Sequence, residues 1–260
     1  MVVDGLLLDI DGVLAVSWKA IPGAIDTLEW LRRAGVPFRL ITNTTTHTRR
    51  RLAETLGAAG LHVEAEEIVT AVAATAEHLR ANCAGAKVFV LSDGDAREDL
   101  DGVPIVESPE DADMVVLGGA GDGFSYDTLN RVFRRLMDGA PLIGMHRNLF
   151  WRTASGWELD AGAYINGLEA AASVSATICG KPAEAYFTAA LDLLGVSSAH
   201  AAMVGDDITN DVLGAQAAGI RGVLVRTGKF RPEDLSIGSP DVVLESIADL
   251  PQWLRSDATS

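Results

Sequence analysis

The stretch that most constrains this chain is Leu6-Leu7-Leu8, followed at once by Asp9-Ile10-Asp11-Gly12. A run so short and so uniformly apolar has no polar face to offer water. It reads as a strand of a parallel sheet covered on both sides. Open sheets of that kind bind ligands beyond the carboxyl ends of their strands. Asp9 and Asp11 stand at that end, two residues apart and ahead of a glycine. Chemistry is therefore expected within the first dozen residues.

The rest of the chain alternates strand-like and helix-like segments, the pattern of parallel βαβ units. Strands are expected at residues 3–8, 36–42 and 68–70. A helix follows Pro22 and Gly23 through Ala34, with Leu28 and Leu31 on its apolar side and Gly35 as its stop. A second helix spans 48–56. The middle differs: strands at 86–91, 103–106, 114–117 and 142–145, an amphipathic helix at 126–137, and a helix at 163–173. A hairpin joins 150–153 to 157–160 through Ala154-Ser155-Gly156. The first pattern then returns, with strands at 176–179, 201–204, 222–225 and 242–244 and helices at 183–194, 209–218 and 247–254. The fold class expected is α/β: a Rossmann-like parallel-sheet core at 1–77 and 177–260, interrupted by a second compact α/β unit at 78–176. A chain of 260 residues is long enough for both.

Charge narrows the partners. Lys and Arg number 21 against 36 Asp and Glu, a net charge of −15. The chain lacks the basic footprint of a nucleic-acid binder and is poorly suited to anionic membranes. No apolar run approaches the roughly 18–20 residues of a membrane helix. Asp4 and Asp9 interrupt the first apolar stretch, which has no basic leader or small-residue cleavage site. Cys83 and Cys179 lack metal-site spacing and read as buried thiols. The expectation is a cytoplasmic protein with a small-molecule partner, no nucleic acid and no membrane.

Four strand ends carry reactive side chains: Asp9 and Asp11; Thr42 and Asn43; Lys181 within Gly-Lys-Pro; and Asp206, Asp207 and Asp211. Each type has a task in phosphoryl transfer. A carboxylate attacks phosphorus to give an acyl phosphate. A second carboxylate two residues on protonates the leaving oxygen and later activates water. A hydroxyl and amides hold phosphate oxygens, and a lysine offsets their charge. Carboxylates from two strand ends suit Mg²⁺, which takes one or two carboxylates plus water and substrate oxygens. Asp207 and Asp211 are four apart and share a face if a helix starts near Asp207, which also suits an N-cap. One of the two is expected to brace Lys181 and the metal waters.

These residues resemble the motifs of the haloacid dehalogenase-like superfamily of phosphatases. Asp-Ile-Asp-Gly-Val-Leu is similar to its first motif, Ile-Thr-Asn to its second, Gly-Lys-Pro to its third, and Val-Gly-Asp-Asp with Asp211 to its fourth. They occur in the family's order, and the resemblance covers essentially the whole chain. It implies that Asp9 is the nucleophile and Asp11 the general acid/base. It further implies that Thr42, Lys181 and Asn43 contact phosphate, and that Asp9, Asp206 and the Asp11 carbonyl hold Mg²⁺. Asp207 and Asp211 support the site. The inserted unit falls between the second and third motifs and resembles the type-IIA cap of NagD-like phosphatases, expected to close over the site and select substrate. Residues 203–216 and 225–232 resemble the phospholysine phosphohistidine inorganic pyrophosphate phosphatase branch. Several members of that branch carry Ser at the second aspartate, where this chain has Asp11. Ordinary acid/base catalysis on a small phosphorylated metabolite is therefore expected. A homodimer is an open expectation, since cap-mediated dimers occur among similar proteins.

Other residues carry weaker signals. His146, Asn148, Trp151 and Tyr164 would line a substrate pocket or simply pack the inserted unit. His47 and Arg49-Arg50-Arg51 would attract an anion or form a solvated helix face. The stretch from Thr227 to Arg231 would form a loop near the active site, with no role legible in the sequence. Two rivals stand beside the phosphatase: a catalytically weak regulatory or binding member of the same fold, and an enzyme of the superfamily with other chemistry. Phosphonate cleavage would need a Schiff-base lysine in the inserted unit, whose sole lysine is Lys87.

Overall fold

A computed structural model describes residues 3–153 and 156–257. Along the chain run β1 (Gly5–Asp9), the short pair β2 (Ala15–Val16) and β3 (Lys19–Ala20), α1 (Ala24–Ala34), β4 (Phe38–Thr42), α2 (Arg49–Ala58), β5 (Ile68–Thr70) and α3 (Ala71–Asn82). Next come β6 (Val88–Leu91), β7 (Ile105–Val106), β8 (Met114–Leu117), α4 (Tyr126–Met137), β9 (Leu142–Gly144), β10 (Phe150–Thr153), β11 (Gly156–Leu159), α5 (Ala161–Ala172) and β12 (Thr177–Ile178). The chain closes with α6 (Glu184–Leu194), β13 (Ala201–Gly205), α7 (Gly214–Ala217), β14 (Arg221–Val225), β15 (Val242–Leu244) and α8 (Leu250–Asp257).

The chain divides into two compact units. The first holds Met1–Thr42, Arg49–Val69 and Lys181–Ser260; the second holds Asn43–Thr48 and Thr70–Gly180. A six-stranded sheet is ordered β15-β14-β13-β1-β4-β5. β1 lies parallel between β4 and β13, with Leu8 opposite Leu40 and Val204. Leu6, Leu7 and Leu8 are all fully buried, as the apolar run requires. Leu6 and Leu8 pack with Leu28 and Leu31 of α1, Leu52 and Leu56 of α2, and Leu250 and Leu254 of α8. Leu7 points to the opposite face, and α6 packs against β1 and β4. Each leucine so buried contributes about 2 kcal/mol.

The second unit has its own parallel sheet, ordered β12-β9-β8-β6-β7. Its strands alternate between two cores. Val88 and Val90 meet Ala71, Val72, Ala76 and Leu79 of α3. Phe89 and Leu91 meet Val132 and Leu136 of α4 and Ile165 and Leu168 of α5. Both sheets are parallel, and the chain has the α/β class expected.

Several local expectations change. β12 is not part of the returning pattern; it pairs with β9 in the five-stranded sheet. The units accordingly divide at Gly180 and Lys181 rather than at 176/177. At the other end, α3 runs across the expected 77/78 boundary and belongs by its packing to the second unit. The Ala-rich face of α3 lacks the sharp polar–apolar alternation that marks a helix in sequence. The expected helix at 209–218 is instead a π-wound stretch, Ile208–Leu213, continuing into α7. The β2–β3 pair was not anticipated: Ser17 and Trp18 turn it with positive φ, where Asn-Gly is the usual signal. The hairpin β10–β11 is present, while Ala154 and Ser155 at its tip lie outside the described residues.

Candidate active site

In the six-stranded sheet the chain leaves β1 toward β4 and β5 on one side, and toward β13, β14 and β15 on the other. The strand order therefore reverses between β1 and β13. The crevice beyond their carboxyl ends is where an α/β sheet offers a ligand site. Asp9 ends β1, Asp206 follows the last residue of β13, and Thr42 ends β4. Lys181 lies just ahead of α6.

These side chains converge. Asp9, Asp206 and Asp211 each present a carboxylate oxygen, and the three oxygens lie within 4.8 Å of one another. Lys181 Nζ is 2.7 Å from Asp9 Oδ1 and 2.7 Å from Asp211 Oδ1. All four residues are buried, at 5%, 1%, 1% and 4% exposure for Asp9, Asp206, Asp211 and Lys181. Isolated buried charges cost several kcal/mol each, so a set like this persists only where its members compensate one another or a ligand.

The turn after β13 is built to hold Asp211. Asp207 caps the helical stretch: its Oδ1 accepts from Thr209 N at 3.0 Å and Asn210 N at 2.9 Å. Asp207 N in turn donates to Asp211 Oδ2 at 3.2 Å. A Cβ at Gly205 would collide with the Asp211 side chain, so this tight closure needs glycine. Of the two candidates, Asp211 is thus the one that meets Lys181, and Asp207 is the cap.

Burial dominates the electrostatics. It raises the carboxyl pKa of Asp9, with Lys181 pulling the other way. It raises Asp206 well above the carboxylate range, aided by Asp9 and Asp211. It pushes Asp211 up to about 7 against the pull of Lys181. Burial would lower the Lys181 ammonium, but Asp211 and Asp9 outweigh it and hold its pKa above the ordinary value. Asp207 goes the other way: its amide donors and Lys229 overcome burial and lower it. Asp11 is exposed at the residue surface. The protein around its carboxyl still strips enough water to raise its pKa, opposed by Lys229 and Lys181.

The donor set fits a hard divalent cation. Three buried carboxylates face one buried ammonium, and Asp206 Oδ1 is buried with no hydrogen-bond partner among the described residues. A cation there would supply the missing positive charge and return the carboxylates to their ionised range.

Thr42 is buried at the end of β4. Its N–H donates to Tyr186 Oη at 3.1 Å, and Tyr186 has Val69 O at 2.6 Å and Thr42 O at 3.0 Å as acceptors. Asn43 groups with the second unit, its Nδ2 3.5 Å from Asn148 Oδ1. His146 is buried, its Nδ1 accepting from Asn148 N at 3.2 Å and its Nε2 3.7 Å from Asp160. Tyr164 stacks on Phe124 at 3.9 Å. The Trp151 side chain lies outside the described residues. His47 faces Asp95 at 3.8 Å, and Arg50 pairs with Glu54 on an exposed helix face.

Sequence reasoning gave no role to the turn after β14, yet that turn is at this site. Lys229 N donates to Asp206 Oδ2 at 2.6 Å, and Thr227 Oγ1 donates to Gly12 O at 2.5 Å. Lys229 Nζ is 3.8 Å from Asp207. The available signal was positional: Thr-Gly-Lys follows directly on a strand of the same sheet, at the same end. Tyr186 had no such signal, since a helical tyrosine is ordinary core.

The likeness to known proteins agrees with this geometry. Residues 6–105 match the model of a haloacid dehalogenase-like hydrolase, and residues 178–250 match a HAD-hydrolase-like model. Human haloacid dehalogenase-like hydrolase domain-containing protein 2 is 37% identical over 229 residues, covering 88% of this chain and 86% of that one. The rat phospholysine phosphohistidine inorganic pyrophosphate phosphatase is 36% identical over 238 residues, covering 89% and 86%. Among solved structures, a p-nitrophenyl phosphatase from Archaeoglobus fulgidus superposes with a TM-score of 0.90 at 29% identity, covering 97% of this chain and all of that one. NagD from E. coli K-12 gives 0.86 at 27% identity, covering 96% and 98%. The chain belongs to the haloacid dehalogenase-like hydrolases, on their NagD-like IIA branch, and is a phosphatase of that family. Among the described residues, no helix is long and apolar enough to cross a membrane.

Proposed function

We propose that this chain hydrolyses small-molecule phosphate monoesters with Mg²⁺, through an aspartyl phosphate on Asp9. The observation that carries this reading is the contact of the buried Asp9 with Lys181 at 2.7 Å, inside a ring completed by Asp206 and Asp211. A carboxylate fixed there by an ammonium has one oxygen to spare for attack on phosphorus. Lys181 and Thr42 hold phosphate oxygens, Lys181 offsetting the charge that gathers on them as the ester bond breaks. Asn43, next after Thr42, is the remaining candidate for that contact.

Asp11 gives its proton to the departing ester oxygen as Asp9 bonds to phosphorus. The alcohol leaves and Asp11 is left as a carboxylate. Asp11 then takes a proton from water, whose oxygen attacks the phosphorus of the acyl phosphate, and Asp9 is released with inorganic phosphate. Asp9, Asp206 and the Asp11 carbonyl would hold Mg²⁺, which when bound neutralises phosphate charge and orients the ester. Asp211 keeps Lys181 protonated and in place, and Asp207 holds the turn that presents Asp206 and Asp211.

The similar proteins include a p-nitrophenyl phosphatase and a phospholysine phosphohistidine inorganic pyrophosphate phosphatase. The presence of Asp11 as a proton donor favours esters, whose alkoxide leaving groups need a proton. The test is phosphate release from 4-nitrophenyl phosphate and a panel of sugar phosphates, nucleotides, phosphoglycolate, pyridoxal phosphate and phosphoamino acids, with Mg²⁺ and with EDTA. Turnover that needs Mg²⁺ is expected. Absence of turnover across the panel, or turnover indifferent to EDTA, overturns the reading. A cytoplasmic location and a homodimer accord with this activity and are open to fractionation and to light scattering.

A further inference from the structure

The turn at residues 227–229 is drawn into the site by three separate contacts. Lys229 N donates to Asp206 Oδ2 at 2.6 Å, and Thr227 Oγ1 donates to Gly12 O, the carbonyl next after Asp11. Between them Gly228 lies directly against Gly12. Both glycines have positive φ, +63° and +86°. A Cβ on either would run into the Asp206 carboxylate. Two loops thus close face to face over one oxygen of Asp206, at a separation that side chains would prevent.

The contacts divide the two oxygens of Asp206. Oδ2 is committed to the Lys229 amide, while Oδ1 is buried with no hydrogen-bond partner among the described residues. A carboxylate with one oxygen fixed cannot rotate to present the other differently. The Thr227 hydroxyl meanwhile fixes the peptide that joins Asp11 to the β2–β3 pair, where Gly12 N also donates to Ala15 O at 2.8 Å.

We propose that the 227–229 turn is a clamp that aims Asp206 Oδ1 at the cation and holds the Asp11 loop against it, with Thr227 as its positioning residue. The clamp rests on the metal-dependent reading above. It touches neither ester nor phosphorus. Its effect is on metal affinity and on the geometry of the acid/base loop, as outer contacts of metal ligands commonly act.

Direct binding of Mn²⁺, followed by its EPR signal at fixed pH, tests the clamp apart from turnover. Thr227→Val removes the hydroxyl and keeps the shape, and is expected to weaken Mn²⁺ binding about tenfold. Thr227→Ser restores the donor and is expected to recover binding to within about threefold of wild type. Gly228→Ala forces Asp206 aside and is expected to lose about 100-fold, the upper end for such contacts. Circular dichroism checks that each variant is folded; if Gly228→Ala is not, the Val and Ser pair decides. Folded Thr227→Val with wild-type Mn²⁺ affinity overturns the clamp, as does Thr227→Ser that binds no better than Val. Wild-type protein that binds no Mn²⁺ at all overturns the metal-dependent reading, and the clamp with it.

Discussion

The two units of this chain are built on the same plan and spend their strand ends differently. Each has a parallel sheet with apolar strands buried on both faces. In the first, most of the buried polar groups gathered beyond the carboxyl ends are charged, Asp9, Lys181, Asp206 and Asp211, with the Thr42 hydroxyl beside them. In the second, the buried polar groups are neutral hydroxyls and an imidazole: Thr45, Thr48, Thr70, Thr75 and His146. They do ordinary structural work; Thr70 caps α3 through Ala73 N, and Thr75 bonds back to Ala71 O. Neutral groups satisfied by backbone are cheap to bury, whereas charges are not. The fold does not draw on the charged set for cheap burial, and it is there that the chemistry proposed above is placed. Mutations that erase the charges should cost the first unit activity, and stability where they leave a partner unpaired, in ways the second cannot match.

The largest expected effect is Asp9→Asn. The amide is isosteric but cannot attack phosphorus, and turnover should fall by about 10⁴–10⁶-fold, the range for loss of a nucleophile. Far-UV circular dichroism should stay unchanged, because the amide keeps the shape and its Oδ1 still accepts from Lys181. Substantial remaining hydrolysis would show that another group attacks. Asp11→Asn comes next, at about 10²–10⁴-fold in kcat, the usual range for lost acid/base catalysis. Phosphate release in a stopped-flow assay is the check, and an effect below tenfold would move the proton to water.

Lys181→Met probes the same charges through stability. It leaves Asp9 and Asp211 buried without their shared ammonium, and breaking a buried pair from one side costs about 3–5 kcal/mol. Urea melts of wild type and variant measure the difference. A double change, Lys181→Met with Asp211→Asn, should recover part of it, since fewer uncompensated charges remain. A Lys181→Met protein as stable as wild type would mean the ammonium is not compensating its neighbours.

How much of this was readable in the sequence follows the same division. The charged strand ends were legible because a carboxylate or lysine directly after a short apolar run is chemically conspicuous. The amphipathic α4 was legible from its period, matching the expected 126–137. What was hidden depends on pairing or closure in three dimensions. Thr177 and Ile178 read as a strand, but nothing in two residues says which sheet they join. α3 was missed because alanine packs well on either side of a helix and blurs the pattern. The Thr227 hydroxyl and the Lys229 amide act through a loop and a backbone N–H, and a backbone donor leaves no trace in residue type. Asn43 was legible as a neighbour of Thr42, but its grouping with the second unit was not.

Stability against pH gives a smaller and more diagnostic contrast. Burial raises the folded-state pKa of Asp9, Asp206 and Asp211 above the unfolded value of 3.8, Asp211 to about 7. Between about pH 4 and 7 these three carboxyls hold more protons in the folded, EDTA-treated protein than in the unfolded chain, so the stability they contribute should fall as pH rises through that window. Mg²⁺ favours the ionised carboxylates and should flatten the decline. At a concentration near 100 times its dissociation constant it adds about 2.7 kcal/mol, or roughly 5–10 °C in Tm for a protein of this size. Scanning calorimetry at pH 5 and pH 8 with Mg²⁺ or EDTA reads both effects. A larger Mg²⁺ shift at pH 5 than at pH 8 would contradict this account.

The smallest prediction concerns the neutral unit. Thr45 Oγ1 accepts from Gly119 N at 2.8 Å, and Thr45 O accepts from Ser92 Oγ at 3.0 Å. Thr45→Val removes the side-chain acceptor, keeps the shape and leaves the backbone acceptor in place. One half-buried N–H then loses its partner, at a cost of about 1 kcal/mol. Thr45→Ser, which retains the hydroxyl, should recover most of it. Neither change touches a charge, so the slope of stability between pH 4 and pH 7 should match wild type, unlike any substitution among Asp9, Lys181, Asp206 and Asp211. Denaturant melts at pH 5 and pH 8 read both quantities in one series. A Thr45→Val cost as large as that of Lys181→Met, or a changed slope, would mean the neutral strand ends are as tightly coupled as the charged ones. The contrast between the two sheets would then be one of residue type without a difference in energetics.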